Sequence, residues 1–342
     1  GNELWVAEGV YYATSSFNLK NGVEIYGGFA ATETLRTERD WQTRPTVLSG
    51  DLGQDDIYTG TLYTASWADQ RGANANHVVV ANSVDDTARL DGFIVTAGAA
   101  TSSFGGGGIL NQSSSPGYYN LEVRGNRGPT YGGGMLNISS SPHLENVLFD
   151  SNRIDDSTSG YGGGMYDLFD SRPTLIQVTL NNNSAGWGGG YGSQGSPYLE
   201  DVTFSNNSVS GTGHGGGAYF HDDANVTMVR ATFINNRAAM GGGLYAFNEG
   251  SLTMTDTTFI QNTTFDTGAS NGDHGGGLAA SVNININALN ISFIGNDGEC
   301  GGGVYLTNGS ILNLRNGLFR GNSAGGGGGC ARCMVAKSPL PM

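Results

Sequence analysis

Positive charge is scarce in this chain. Sixteen Lys and Arg face 30 Asp and Glu over 342 residues, giving a formal charge of -14 and a pI near 4.6. Lysine is missing altogether between Lys20 and Lys337. A phosphate backbone or an anionic membrane surface needs a basic patch to bind, so nucleic acid and charged lipid are excluded as partners. No apolar run reaches the roughly 18 residues that span a bilayer, so no membrane-spanning helix is expected. The three cysteines, Cys300, Cys330 and Cys333, crowd into the end of the chain, which rules out a disulfide scaffold. Cys330 and Cys333 form a CxxC without the second pair that a zinc site would need. The first residues, GNELWVAEGV, have neither the charged start nor the apolar core of a signal peptide, and the sequence reads as a mature or excised segment. Low lysine with abundant Asn, Ser, Thr and Gly fits an extracellular or cell-surface location.

What is present in excess is glycine. The 58 glycines are more than twice the usual share of about 7%. They recur at a period. Triplets end at Gly108, Gly134, Gly164, Gly190, Gly217, Gly243, Gly277, Gly303 and Gly329, and subtraction gives spacings of 26, 30, 26, 27, 26, 34, 26 and 26. A second motif, an apolar residue followed three positions later by Asn, keeps step with them. It reads VRGN, FDSN, LNNN, FSNN, FINN, FIQN, FIGN and FRGN, ending at Asn126, Asn152, Asn183, Asn207, Asn236, Asn262, Asn296 and Asn322.

Between the two motifs run stretches such as YLEDVTF, NVTMVRATF and SLTMTDTTF, whose period of two and β-branched residues predict strands. A unit this short cannot bury its own apolar face, and stacking successive turns buries it. The prediction is an all-β, right-handed parallel β-helix with 26-residue coils. Residues 1–100 form irregular first coils and a cap, 101–329 the regular repeats, and 330–342 a truncated or disordered tail. The stretch ATETLRTERDWQT is the one helical candidate, expected as a loop or short helix closing the entry to the core. In stacked coils the eight asparagines become a ladder about 4.8 Å per step, with the phenylalanines stacked inside.

The pairing of GGG plus an apolar or small residue with FxxN resembles the repeats of polymorphic outer membrane proteins and of bacterial right-handed parallel β-helix surface proteins. The likeness covers Gly105 to Asn322. It implies an elongated secreted or surface-anchored protein with an adhesin-like role and supplies no catalytic set. The anchor or translocator of such proteins is not found in this sequence.

Sites must lie where the repeat is broken. Extra residues, RIDDSTSGY, SVSGTGH and TTFDTGASNGDH, follow Asn152, Asn207 and Asn262 and are expected to build one wall at one corner. Two residues past four of the triplets stand Tyr166, Tyr219, Tyr245 and Tyr305, with Leu136 in the same column, expected as an outward stripe that either stacks on sugar rings or packs along the surface and stiffens the sheet. Just before the triplets stand Trp187, His214 and His274 among other aromatics, bordering the wall as ligand contacts; the two histidines lie too far apart to share a metal. Six residues past the triplets come Asp170, Asp223 and Glu249. Asp223 and Glu249 on adjacent coils would sit about 5 Å apart, the separation of a retaining glycosidase pair. Asp222 and Asp223 could instead hold calcium through hard oxygen ligands; no cofactor is otherwise required. An arginine-based lyase would draw on Arg230.

These residues support three functions. The first is a noncatalytic surface module presenting a rigid face to a polysaccharide or a cell-surface protein. The second is a glycan hydrolase or lyase using the surface carboxylates. The third is a filament-forming structural module. The oligomeric state is not readable from the sequence.

Overall fold

The computed structural model describes residues 1–58, 60–101, 104–265 and 274–325. The tail expected at 330–342, with Cys330 and Cys333, lies outside these residues, as does most of the insertion after Asn262.

The strands gather into three long sheets of 18, 10 and eight members, and neighbours pair in parallel. The chain visits the sheets in a fixed order. After a glycine triplet comes a strand of the ten-stranded sheet, such as Ala218–His221; then strands of the largest sheet, such as Asn225–Val229 and Thr232–Ile234; then, past the FxxN motif, a two-residue strand such as Arg237–Ala238. Each element rests on its counterpart in the next turn. This architecture of an all-β chain wound into long parallel sheets is of the β-helix type.

The interior is apolar and stacked. Phe204, Phe233, Phe259 and Phe293 are fully buried, and successive rings lie 4.4, 4.7 and 4.9 Å apart with planes within 9°. Burying each such ring contributes on the order of 2 kcal/mol, with about 1 kcal/mol more from each offset stack.

Beside them the asparagines make a continuous hydrogen-bonded column. Each Oδ1 accepts from the backbone N–H and the side-chain amide of the rung before it: Asn207 Oδ1 takes Asn183 N at 3.0 Å and Nδ2 at 3.1 Å, while Asn207 Nδ2 also reaches Leu180 O at 2.8 Å. Intervals between rungs are 26, 31, 24, 29, 26, 34 and 26 residues, so coils of unequal length keep one register. The residue preceding each rung is left-handed, at φ 55° in Asn206 and Asn235 and 62° in Gly295, which explains the Asn and Gly in that place.

Glycine triplets serve close approach. Gly162 stands at φ +68°, and a Cβ on Gly163 would lie 2.4 Å from Gly189 O in the next turn.

Over ATETLRTERDWQT, where a loop or short helix is expected, the chain forms a loop with one 3-10 turn, Arg36–Glu38. Its acidic side chains take the amides a helix would use. Glu33 accepts from Ala30 N at 2.7 Å, Glu38 from Thr34 N at 2.8 Å, and Asp40 from Thr43 N at 3.2 Å. This segment does not line the cavity at the first coils. That apolar space of about 390 Å³ is walled by residues including Leu4, Trp5, Phe17, Leu48 and Leu90.

Candidate functional site

Strands of the ten-stranded sheet send alternate side chains to opposite faces. Met165, Tyr191, Ala218 and Leu244 enter the main core; Tyr166, Tyr219 and Tyr245 turn away from it. They are nevertheless only 1%, 4% and 4% exposed. The exposed tyrosine stripe expected from alternation is thus corrected, because the residues before each triplet fold over these rings and cover them. Tyr131 sits 5.1 Å from Tyr166, Tyr161 6.1 Å and Trp187 5.3 Å from Tyr219, and His214 4.9 Å from Tyr245.

The covering residues form the ridge. Tyr131, Tyr161, Trp187, His214, Met240 and His274 are all half-buried. Tyr131, Tyr161 and Trp187 follow one another at 5.8 and 6.2 Å with planes within 26°, and the His214 ring meets Trp187 edge-on at 4.6 Å. Parallel bridges Tyr131 to Tyr161 and Tyr161 to Trp187 fix their spacing through the backbone. The inserted loops flank them: Trp187 Nε1 donates to Thr158 O at 3.0 Å, and Ser210 Oγ joins the two loops by donating to Ser157 O at 3.0 Å. The third insertion lies outside the described residues, apart from its ends.

Beneath the ridge runs a polar chain from surface to interior. Asp222 Oδ2 faces His221 Nδ1 at 2.9 Å, and His221 Nε2 faces the Tyr166 hydroxyl at 3.0 Å. Burial pushes the His221 imidazole below its ordinary pKa, outweighing the attraction of Asp222, so the ring is neutral near pH 7. Neutral, it donates from Nδ1 and accepts at Nε2. Burial raises the Asp222 carboxyl, but hydrogen bonds from Asn248, His221 and Gln194 outweigh that and hold it below the usual carboxylate range. Burial also takes the His214 ring down to about 4.

The acids singled out from the sequence are arranged otherwise. Asp170, Asp223 and Glu249 are exposed, and their carboxylates make no hydrogen bond or ion pair among the described residues. Asp223 and Glu249 occupy left-handed turn positions, both at φ 66°. Asp222 and Asp223 are not gathered with a third metal-ligating residue. Among the described residues that grouping occurs at Asp51, Asp55 and Asp56, within 4.8 Å of one another. Asp51 and Asp56 already accept bonds from Tyr58 Oη at 2.5 Å and Thr64 Oγ1 at 2.7 Å. Arg230 is not a free cation for lyase chemistry: it donates to Asp201 at 2.7 and 2.9 Å and to Glu200.

One acid, noted in the sequence as a neighbour of the Asp170, Asp223 and Glu249 column, lies in the interior rather than on the surface. Asp167, fully buried, accepts from Asn137 Nδ2 at 2.7 Å, from Ser193 Oγ at 2.9 Å and from the Tyr191 hydroxyl. Asn137 in turn accepts from Asn111 Nδ2 at 2.7 Å. The signal was there: Asn111, Asn137, Asp167 and Ser193 all stand three positions past their triplets.

Comparison with protein-family models, with curated proteins and with solved structures finds no match to this chain. The class is therefore defined by the parallel-sheet fold and the ridge it carries.

Proposed function

We propose that the chain is a right-handed parallel β-helix with a basic coil of 26 residues, of the kind that polymorphic outer membrane protein-like repeats build. It works outside the cell or on a bacterial cell surface as a noncatalytic, adhesin-like module. Its ridge binds carbohydrate. The observation that carries this reading is the row of half-buried rings Tyr131, Tyr161 and Trp187, held in register by the coils beneath. A sugar presents apolar C–H groups to such rings, and a rigid row offers several contacts in line without ordering cost.

What supports a binding role over glycan cleavage is the setting of the acids. Asp170, Asp223 and Glu249 stand exposed and unpartnered, whereas a general acid needs burial or a neighbouring charge to hold its proton. Incubation with soluble glucan, mannan, xylan and galacturonan, assayed both for retention in an affinity gel and for new reducing ends, tests the proposal. Retention without product is the expected result. Turnover lost on Asp223→Ala or Glu249→Ala would falsify it.

A further inference from the structure

A second depression, remote in sequence from the ridge, lies where two early loops meet the largest sheet. Its volume is about 380 Å³, within the range of sites that hold small ligands. Trp41 comes from the loop between Val23–Phe29 and Thr46–Ser49, Tyr63 from the loop between Thr46–Ser49 and Val79–Asn82, and Asn120 and Glu122 from the strand Gly117–Arg124.

Each wall is held in place. Gly28 at φ +89° and Gly92 at φ +83° admit the Trp41 backbone, since Cβ atoms there would lie 2.5 Å from Trp41 Cα and 2.9 Å from its Cβ. The Arg124 guanidinium lies 5.5 Å from the Tyr63 ring and bonds Glu122 at 3.1 Å and Asp150 at 2.9 Å, so one cation positions both a ring and a carboxylate. Asn120 is fixed by Asp91 at 2.8 Å and Asn146 at 2.7 Å.

The remaining polar groups are unspent. Among the described residues the Trp41 indole N–H, the Gln42 carboxamide and Glu122 Oε1 carry no hydrogen bond, although all three residues line the depression. Two aromatic residues, an indole donor, an amide and a carboxylate oxygen lining one cleft suit a polyhydroxylated ring. Hydroxyls donate to Glu122 and accept from the indole, while C–H faces lie on Trp41 and Tyr63. An anionic sugar would meet Glu122 with Arg124 already engaged by two carboxylates, and like charge rejects it.

We infer that this cleft is a binding site for a neutral saccharide, separate from the ridge and independent of the ridge reading. Calorimetric titration of the full chain with cellohexaose, mannohexaose and xylohexaose, and with trigalacturonate as the charged comparison, tests it. At least one neutral hexasaccharide should bind saturably at millimolar concentration or below. Trp41→Ala should weaken it at least about tenfold, as expected of an aromatic anchor, with Asn313→Ala, at an exposed position outside the cleft and the ridge, leaving it unchanged. Glu122→Gln should admit trigalacturonate. Gln42→Ala, at an exposed position, serves as a second probe should Trp41→Ala fail to fold by circular dichroism, and should also weaken binding. The inference is overturned if no neutral hexasaccharide binds, if trigalacturonate binds the unaltered protein equally well, or if cleft substitutions have no effect. Loss on Trp187→Ala alone would place binding at the ridge and likewise overturn the cleft.

Discussion

The Tyr166 hydroxyl meets His221 Nε2 at 3.0 Å across 55 residues of chain, passing over the turn between them. It can do so because that turn carries glycine. A Cβ on Gly192 would lie 2.6 Å from Tyr166 Cδ2. Gly192→Ala should therefore push the ring aside, break the contact with His221 and cost about 1–3 kcal/mol by overpacking. Urea unfolding measures the loss, and a shift of the His221 ring resonances would locate it. An unchanged midpoint with unchanged resonances would contradict the account of the covered tyrosines.

Asp167 gives the protein a pH dependence of known sign. Burial raises its pKa from 3.8 to about 6, partly offset by the bonds from Tyr191, Asn137 and Ser193. The folded chain thus holds a proton that the unfolded chain has released between those two values. Stability from this group is full below about pH 4 and is lost as pH rises through about 6, a change of roughly 3 kcal/mol. Asp167→Asn should remove that fall and be the more stable protein at pH 7. The measurement is the difference in unfolding free energy, variant minus unaltered chain, followed from pH 4 to pH 7; a flat difference contradicts the prediction.

Ladder asparagines and surface asparagines should behave differently. Asn207→Ala removes the acceptor of the Asn183 backbone amide inside the core and one donor of the Leu180 carbonyl, and an unsatisfied buried group costs about 1–3 kcal/mol. The exposed Asn313, which bonds Asn287 at 3.1 Å, should change stability by no more than about 0.5 kcal/mol on replacement by Ala. Chemical unfolding of the two variants side by side checks the contrast, and equal effects would contradict a structural role for the ladder.

Much of the fold was legible because it is periodic. Asn183, Asn207 and Asn236 recur with FxxN, and a column read from sequence is a column in the coil. Alternation also told correctly that Tyr166 and Tyr219 leave the main core. It could not tell that Tyr161 and Trp187 would fold back over them, because covering depends on the turn before the glycines and not on the strand. Around Trp41 the loop alternative prevails over a longer helix because Glu33, Glu38 and Asp40 bind backbone amides locally. The cleft beside it draws Trp41, Tyr63 and Glu122 from segments that share no repeat, so no spacing announced it. Asp223 and Glu249 were noticed as acids, yet their left-handed turn geometry explains their place without catalysis.

The ridge is the central claim, and its direct test is affinity electrophoresis through gels containing the polysaccharide that retains the unaltered protein best. Tyr161→Ala combined with Trp187→Ala removes two consecutive half-buried rings, and thermal melting verifies that the fold survives. In a chain whose cleft already carries Trp41→Ala, the account predicts that retardation falls to that of a polysaccharide-free gel. If the double variant is retarded as strongly as the unaltered chain, or if no polysaccharide retards the unaltered chain at all, the ridge is not a carbohydrate-binding surface.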